Sequence, residues 1–296
     1  MRNGVPGKPP HARPLLCVAG SVPLDRTRPM RSLLALPLLL VSLPALATEP
    51  QIPTSPVKEE GLQIEVSTGV EYEEGDYGSG TKINILSVPT SLTLSTGPLQ
   101  LVATIPYRRV EGPSNVVPGG ILGLPILFDP GRPQSESITR EGRGDLEIGA
   151  IYSIPTRVVN MALSGSVKLP TAENNLGTGA LDYTLGAEVS KSLAGGIVPF
   201  ASFAYTLAGN PEGYTLEDTY AVSGGVAAMV GARTQAYLSY RYADNASDSG
   251  SSDQRLLSGL TTRVGKSFSL GLYGSAGFSD GAPDFMSGVR IDVALN

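Results

Sequence analysis

Few side chains in this chain could carry out nucleophilic or metal-dependent chemistry. Its single histidine, His11, and its single cysteine, Cys17, both lie near the N-terminus. A chain that loses this end by processing has no Ser-His or Cys-His nucleophile pair, no zinc site of the usual kind and no disulfide. Acid–base chemistry by carboxylates remains, and Asp145 and Glu147, which flank Leu146, are the clearest pair. The simpler interpretation is two charges on one strand face, so we expect no catalytic residue, no metal and no cofactor.

Residues 30–47 have the build of a cleaved secretory signal peptide. Arg31 supplies the positive end, a leucine-rich run follows, and Ala-Leu-Ala at 45–47 places small residues at the cleavage position. A membrane-spanning helix is the alternative interpretation. It needs roughly 20 apolar residues, whereas this run is shorter and is interrupted by Pro37 and Pro44. The sequence therefore predicts export.

Export divides the chain and changes its charge. We interpret residues 1–29 as an upstream extension outside the real chain, Thr48 as the mature N-terminus, and residues 48–60 as a flexible periplasmic arm. Six of the 22 basic and one of the 27 acidic residues precede Thr48, which leaves 16 basic and 26 acidic residues and a net charge of −10. This balance argues against nucleic acid as a partner, because phosphates require a basic face.

From residue 61 to residue 296, apolar side chains alternate with small or polar ones over stretches of about ten residues, as in transmembrane β-barrels. In one stretch, Leu146, Ile148 and Ala150 share a face opposite Glu147 and Gly149, since successive strand residues point to opposite sides. The sequence therefore predicts an all-β fold, a transmembrane antiparallel up-and-down β-barrel of about 12 strands. The twelve segments are 62–72, 81–94, 99–107, 144–154, 158–169, 181–192, 197–207, 216–230, 234–242, 254–264, 268–278 and 285–295.

The connections and the aromatic residues support this topology. Short connections alternate with long ones such as 108–143 and 243–253, as expected for periplasmic turns and external loops. Nine aromatic residues would lie at the external end of their strands, as an interfacial girdle does: Tyr72, Tyr107, Tyr183, Tyr205, Tyr220, Tyr240, Tyr242, Phe278 and Phe285. In the second segment the alternation changes phase around Pro89, which predicts a bulge there, because proline cannot donate to the ladder.

If the apolar face of each strand meets lipid, the polar face lines the interior. Charges of both signs on that face could set a solute preference or could neutralise one another across strands. Both interpretations stay open for most of them, whereas for Glu65, Arg290 and Asp292, which lie where the last strand must close on the first, the structural role is favoured. The predicted pore-lining residues are Glu65, Glu71, Lys82, Asp145, Glu147, Lys168, Asp182, Glu188, Arg241, Arg263, Arg290 and Asp292.

The longest connection, residues 108–143, contains an unusually apolar stretch for a loop. Such a stretch would expose an apolar patch if it extended into water. We expect it to fold into the barrel mouth as a constriction, with contact to a neighbouring protomer as the alternative. The predicted constriction residues are Ile121, Leu122, Leu124, Ile126, Leu127 and Phe128.

Residues 142–209 resemble a family of outer-membrane barrel transporters named after the MetA pathway of phenol degradation. The resemblance rests on Gly-Arg-Gly-Asp-Leu at 142–146, Val-Lys-Leu-Pro-Thr at 167–171, Leu-Gly-Thr-Gly at 176–179, Leu-Asp-Tyr at 181–183 and Phe-Ala-Tyr-Thr at 203–206. It implies a barrel and uptake of apolar or aromatic compounds, and it assigns no catalytic residue. Outer-membrane barrels usually end in Phe or Trp, whereas this sequence ends in Ala294-Leu295-Asn296.

A passive outer-membrane channel for small solutes in a Gram-negative bacterium is the function that these features favour. Its partners would be outer-membrane lipid, small solutes and the barrel assembly machinery. The alternatives are an outer-membrane enzyme that uses carboxylates, a purely structural barrel, and a soluble periplasmic β-sandwich.

Overall fold

The computed structural model describes residues 61–128, 137–154, 156, 158–247 and 250–295. The predicted upstream extension, signal peptide and periplasmic arm lie outside these residues.

In the described part of the chain, the strands form a closed antiparallel barrel of twelve strands, one of which is in two pieces, Ser137–Arg143 and Leu146–Ile154. This confirms the predicted fold class. Two short strands, Val116–Val117 and Ile126–Leu127, form a separate hairpin within the long loop. The bounds are β1 Gln63–Gly75, β2 Ile83–Thr96, β3 Leu99–Pro113, β4 Val116–Val117, β5 Ile126–Leu127, β6 Ser137–Arg143, β7 Leu146–Ile154, β8 Asn160–Leu169, β9 Asp182–Ser190, β10 Ile197–Leu207, β11 Thr219–Met229, β12 Thr234–Ala243, β13 Asp253–Arg263, β14 Phe268–Gly277 and β15 Phe285–Ala294.

The barrel closes between its first and last strands. β1 pairs with β15 from Glu65↔Ala294 to Glu74↔Phe285, and every other wall strand pairs with its neighbours in chain order. Closure leaves no sheet edge, which is what a β-structure in lipid requires. None of the described helices is long and apolar enough to cross a membrane.

The predicted bulge at Pro89 is wrong. The pairing of β2 with β3 runs without a break through Pro89↔Pro106, so the odd-numbered residues of β2 all face inward, including Ile83 and Ile85. These two isoleucines are buried by the long loop rather than placed against lipid. A one-residue bulge lies instead between β6 and β7, where the register shifts from Arg143↔Tyr107 to Glu147↔Thr104 beside Pro106.

The two barrel faces differ as the alternation predicts. Leu163 and Leu185 point outward with exposed fractions of 50% and 65%, whereas the adjacent Ser164 and Gly186 point inward. The outer face therefore presents a continuous apolar surface of the kind that hydrocarbon chains cover.

The aromatic residues form a band at the long-loop end of the outer face. Seven of the nine predicted residues are at least 38% exposed, and Tyr220 and Tyr242 lie 5.8 Å apart between ring centroids. Their hydroxyls reach polar groups nearer the rim: Tyr205 donates to Asp218, and Tyr240 donates to Gln254. Rings against lipid with hydroxyls toward water are typical of a membrane interface.

Arginine at Leu163 is expected to destabilise the barrel by about 2–4 kcal/mol, because it would place a charge in hydrocarbon near mid-strand. Arginine at the adjacent Ser164, which faces inward, is the matched control and should have a mild effect. Urea unfolding of both variants in lipid vesicles measures the difference. Equal destabilisation at the two positions would mean that the faces are assigned wrongly.

Candidate functional site: the barrel interior and its loop

The long loop begins against the wall formed by β2 and β3. Val116 packs in a buried cluster with Ile83, Ile85, Val110 and Leu176. All of these side chains lie on the inner face of β2 and β3 or on the loops above it. At this level β2 and β3 extend beyond the part of the barrel whose outer face is apolar. The apolar inner ends of these strands thus anchor the start of the loop.

The tip of the loop packs against a different part of the barrel. Leu124 lies in a cluster with Ala221 and Ala243 on β11 and β12, and Ile121 and Ile126 lie in another with Leu216 and Ala246. In the barrel order, β2 and β12 are five strand steps apart out of twelve, and so are β3 and β11. The loop therefore crosses the mouth from one side to nearly the opposite side.

All six predicted constriction residues lie in this crossing segment. Ile121, Leu124 and Ile126 are at most 4% exposed, and Leu122, Leu127 and Phe128 are half-buried. The ring of Phe128 lies 4.3 Å from that of Tyr214. These contacts are within the same chain, so the barrel itself buries Ile121, Leu124 and Ile126.

Three cationic side chains hold the loop through its backbone. Arg140 donates to the carbonyl of Val116 at 2.6 Å, Lys168 to those of Gly119 and Gly120 at 3.2 and 3.4 Å, and Arg241 to that of Leu122 at 3.1 Å. Bonds from charged donors are stronger than neutral ones. Because Lys168 and Arg241 lie on β8 and β12, they fix the loop to separate parts of the wall.

Lys168 also occupies the centre of a buried ion cluster. Its ammonium lies 2.5 Å from a carboxylate oxygen of Asp182 and 3.8 Å from one of Asp145. Asp145 accepts the backbone N–H of Ala172, and Asp182 accepts that of Gly209. The two aspartates therefore tie two further external loops to the same lysine.

A second cluster holds the far end of the loop. Asp253 lies 3.6 Å from Arg241 and 2.8 Å from Arg255, and all three side chains are at most 3% exposed. Arg241 thus combines an ion pair with its bond to Leu122.

A third group lies near the short-turn end, where the barrel closes. Arg290 and Asp292 form an ion pair at 3.0 Å. Glu65 and Arg263 point inward at the same end. Higher on the same wall, Tyr273 donates to Glu71.

Eleven of the twelve predicted pore-lining residues thus face the interior, and Lys82 does not. Its side chain is 61% exposed and pairs with Glu74 at 2.6 Å on the exposed side of the rim. The reason is the phase of β2: since Ile83 and Ile85 point inward, Lys82 points outward. The sequence prediction for Lys82 is corrected accordingly.

Outside the membrane-spanning strands, Glu173 clamps the β8–β9 loop to the rim. It accepts hydrogen bonds from the side chain and the backbone N–H of Arg143, which lower the pKa of its carboxyl group. In the loop between β1 and β2, burial raises the pKa of the Tyr77 hydroxyl.

This arrangement is a lipid-facing barrel with an ion-paired interior and an apolar loop across its external mouth. The family described as "Putative MetA-pathway of phenol degradation" matches residues 88–294. The chain belongs to this family. The resemblance seen at residues 142–209 is confirmed, and the family covers the barrel from β2 to β15.

Several solved structures are similar to this chain. The COG4313 outer membrane channel from Pseudomonas putida F1 is 14% identical with a TM-score of 0.66, over 83% of this chain and all of that one. The CymD monoaromatic hydrocarbon channel is 11% identical with a TM-score of 0.43, over 80% of this chain and 89% of its own. The KdgM porin is 9% identical with a TM-score of 0.45, over 78% of this chain and 99% of its own. The first similarity establishes the fold of an outer-membrane barrel. No match was found among curated protein sequences.

Sequence reasoning missed several inward-facing charges of this family member, among them Arg108, Arg140, Asp253 and Arg255. Arg108 and Arg140 fall in the segment predicted as loop, because β3 and β6 continue as a polar ladder above the lipid band. The alternation of residues along β3 could have identified Arg108, because it continues the inward-facing, even-numbered positions of Val102 and Thr104.

Proposed function

We propose that this chain is an outer-membrane channel that admits small apolar or aromatic solutes. The observation that carries the proposal is the apolar loop held across the external mouth of a lipid-embedded barrel. A twelve-stranded barrel lies between the filled interior of eight strands and the wide channel of sixteen. A loop in its mouth therefore decides what can enter.

The loop offers a surface for apolar solutes. Leu122, Leu127 and Phe128 are only half-buried, and Tyr214 beside Phe128 is 40% exposed. Pockets that bind small molecules are mostly lined by such apolar and aromatic side chains, with a few polar groups. A passing aromatic solute would contact these side chains before it reached the charged interior.

Two comparisons support this proposal. The family description names phenol degradation, whose substrates are aromatic, and the similar P. putida protein is an outer membrane channel. The carboxylates that an enzyme could use have structural partners here: Asp145 pairs with Lys168, and Glu147 accepts from Ser166. We therefore propose a passive channel and not an enzyme.

Recording from purified protein in planar bilayers tests the proposal. We expect discrete current steps, and we expect benzyl alcohol to reduce the current at lower concentration than a polyol of equal size. Steps with equal sensitivity to both solutes would reject the solute class. Folded protein that inserts without any current would reject the channel.

The export signal gives a further expected result. We propose that cleavage after Ala47 leaves Thr48 as the N-terminus, because small residues stand at the positions that signal peptidase reads. N-terminal sequencing of protein extracted from outer membranes measures this. A sequence that begins at Met1 would contradict export through this segment.

A further inference from the structure

We propose that the lumen passes cations and uncharged solutes in preference to anions, and that Glu188 is the residue within the barrel that sets this preference. The proposal rests on the proposed channel function and specifies its selectivity. Three features of the charge distribution lead to it.

The first feature is the acidic external rim. Among the described residues of this rim, the exposed cations Lys82, Arg109 and Arg143 are each paired with a carboxylate, at 2.6, 3.0 and 2.6 Å. In addition to the carboxylates of these pairs, the described loops and strand ends carry further exposed acids, which give the rim an excess of negative charge: Asp76, Glu141, Glu212, Glu217, Asp218, Asp280 and Asp284. A rim with this excess attracts cations to the mouth and repels anions.

The second feature is that most of the interior cations have polar partners. Lys168 is held by Asp145 and Asp182, Arg241 and Arg255 share Asp253, and Arg290 pairs with Asp292. Arg140 donates to loop carbonyls. Such pairs present little net positive charge to a passing ion.

The third feature is Glu188, an interior carboxylate with no cation beside it in the described part of the barrel, whereas Glu65 lies near Arg290 and Arg263. It faces inward on β9, between Ala162 on β8 and Ser202 on β10. Within the described residues its Oε1 has no hydrogen-bond partner, and no cation pairs with its carboxylate. Its charge is therefore not neutralised by a neighbouring side chain.

Small side chains line the wall on the external side of Glu188. Its inward neighbours level with it or nearer the external mouth include Ser164, Gly186, Ser202 and Ser223, all with small side chains, whereas the large Phe200 lies on its short-turn side. Larger side chains fill other parts of the interior: Tyr237 on β12 lies over Gly259 and packs with Ala227 and Val198, and Tyr273 on β14 lies over Gly288. The wall of small side chains therefore leads from the external mouth to Glu188.

Glu188 lies two residues before the end of β9 at the short-turn end, whereas the acidic rim lies at the long-loop end. An ion therefore meets negative charge at entry and again deep in the lumen. Rings and single side chains of one sign in a narrow pore determine which ions pass.

The test is the reversal potential of single channels under a KCl gradient in alkaline buffer, which keeps carboxyl groups ionised. Wild type should reverse on the cation-selective side. Glu188→Gln should lower the ratio of K⁺ to Cl⁻ permeability several-fold, and Glu188→Lys should lower it further. Glu212→Gln is the matched control: it removes the same charge from an exposed loop, and its smaller effect should disappear at high salt.

Ser202→Lys gives an independent route if Glu188→Gln does not fold. It places an ammonium across the strand pair from Glu188 and should reproduce the loss of cation preference without removing the carboxylate. A conducting Glu188→Gln or Ser202→Lys channel with the wild-type reversal potential would overturn this proposal and leave the channel intact. An anion-selective wild type would also overturn it. Absence of current from wild type would instead reject the channel function on which it rests.

Discussion

Deleting residues 118–128 is expected to raise single-channel conductance several-fold and to weaken the preference for aromatic over equally sized polar solutes. These residues include the tip that packs on Ala221 and Ala243 and the half-buried Phe128. Without them the hairpin of β4 and β5 cannot form, and the mouth loses its crossing segment. The wall should keep its register, since shortening a loop is tolerated when strand pairing is intact. Planar-bilayer recording measures both effects.

A length-preserving variant separates the two roles of the loop. Replacing Leu122, Leu127 and Phe128 with serine keeps the backbone that Lys168 holds through the Gly119 and Gly120 carbonyls. We expect this variant to lose the aromatic preference with a much smaller rise in conductance. A correctly folded deletion variant with unchanged conductance and unchanged preference would show that the loop does not constrict the pore.

Replacing Lys168 with methionine is expected to destabilise the barrel by about 3–5 kcal/mol, because it leaves buried carboxylates without their counter-ion. The side chains of Asp145 and Asp182 are only 3% and 4% exposed. The same change removes the ammonium that holds the loop, so conductance should rise toward that of the deletion variant. Urea unfolding in lipid vesicles and single-channel recording measure these effects.

The matched control removes the aspartates together with the lysine. A neutral cluster of Asp145→Asn, Lys168→Met and Asp182→Asn should recover most of the lost stability, since replacing a whole buried ion cluster is often neutral. It should still conduct more than wild type, because the loop carbonyls have lost their donor. A loss below about 1 kcal/mol in Lys168→Met would mean that the cluster behaves as a solvated surface pair.

The alternation of residue types predicted the strands and their faces because period two is a direct property of the extended chain. Leu163 and Leu185 lie outward as predicted, and all twelve wall strands overlap the predicted segments. The same logic failed at Ile83 and Ile85. The prediction assumed that apolar strand residues face lipid, whereas beyond the lipid-facing part of the barrel the inner face of β2 packs against a loop.

The sequence predicted which residues form the interior and the loop, but not how these residues contact one another. The apolar stretch of residues 121–128 had to be covered, yet nothing local in the sequence chose between the barrel mouth and a neighbouring protomer. That choice depends on contacts over long separations, such as Arg241 with Leu122, 119 residues apart. The pairing of Lys168 with Asp182 was open to prediction only from the register of β8 on β9, which places the two directly opposite.

Cross-linking the loop to the far wall tests the central claim most directly, namely that the long loop lies across the mouth of a membrane channel. Cysteine at Leu124 combined with cysteine at Ala243, or at Ala221, should form a disulfide in the outer membrane, because these side chains share one buried cluster. The oxidised channel should keep the wild-type conductance, since the bond fixes the loop where it already lies. Failure of both pairs to form a disulfide in folded protein would contradict the account, as would an oxidised channel with the large conductance of the deletion variant.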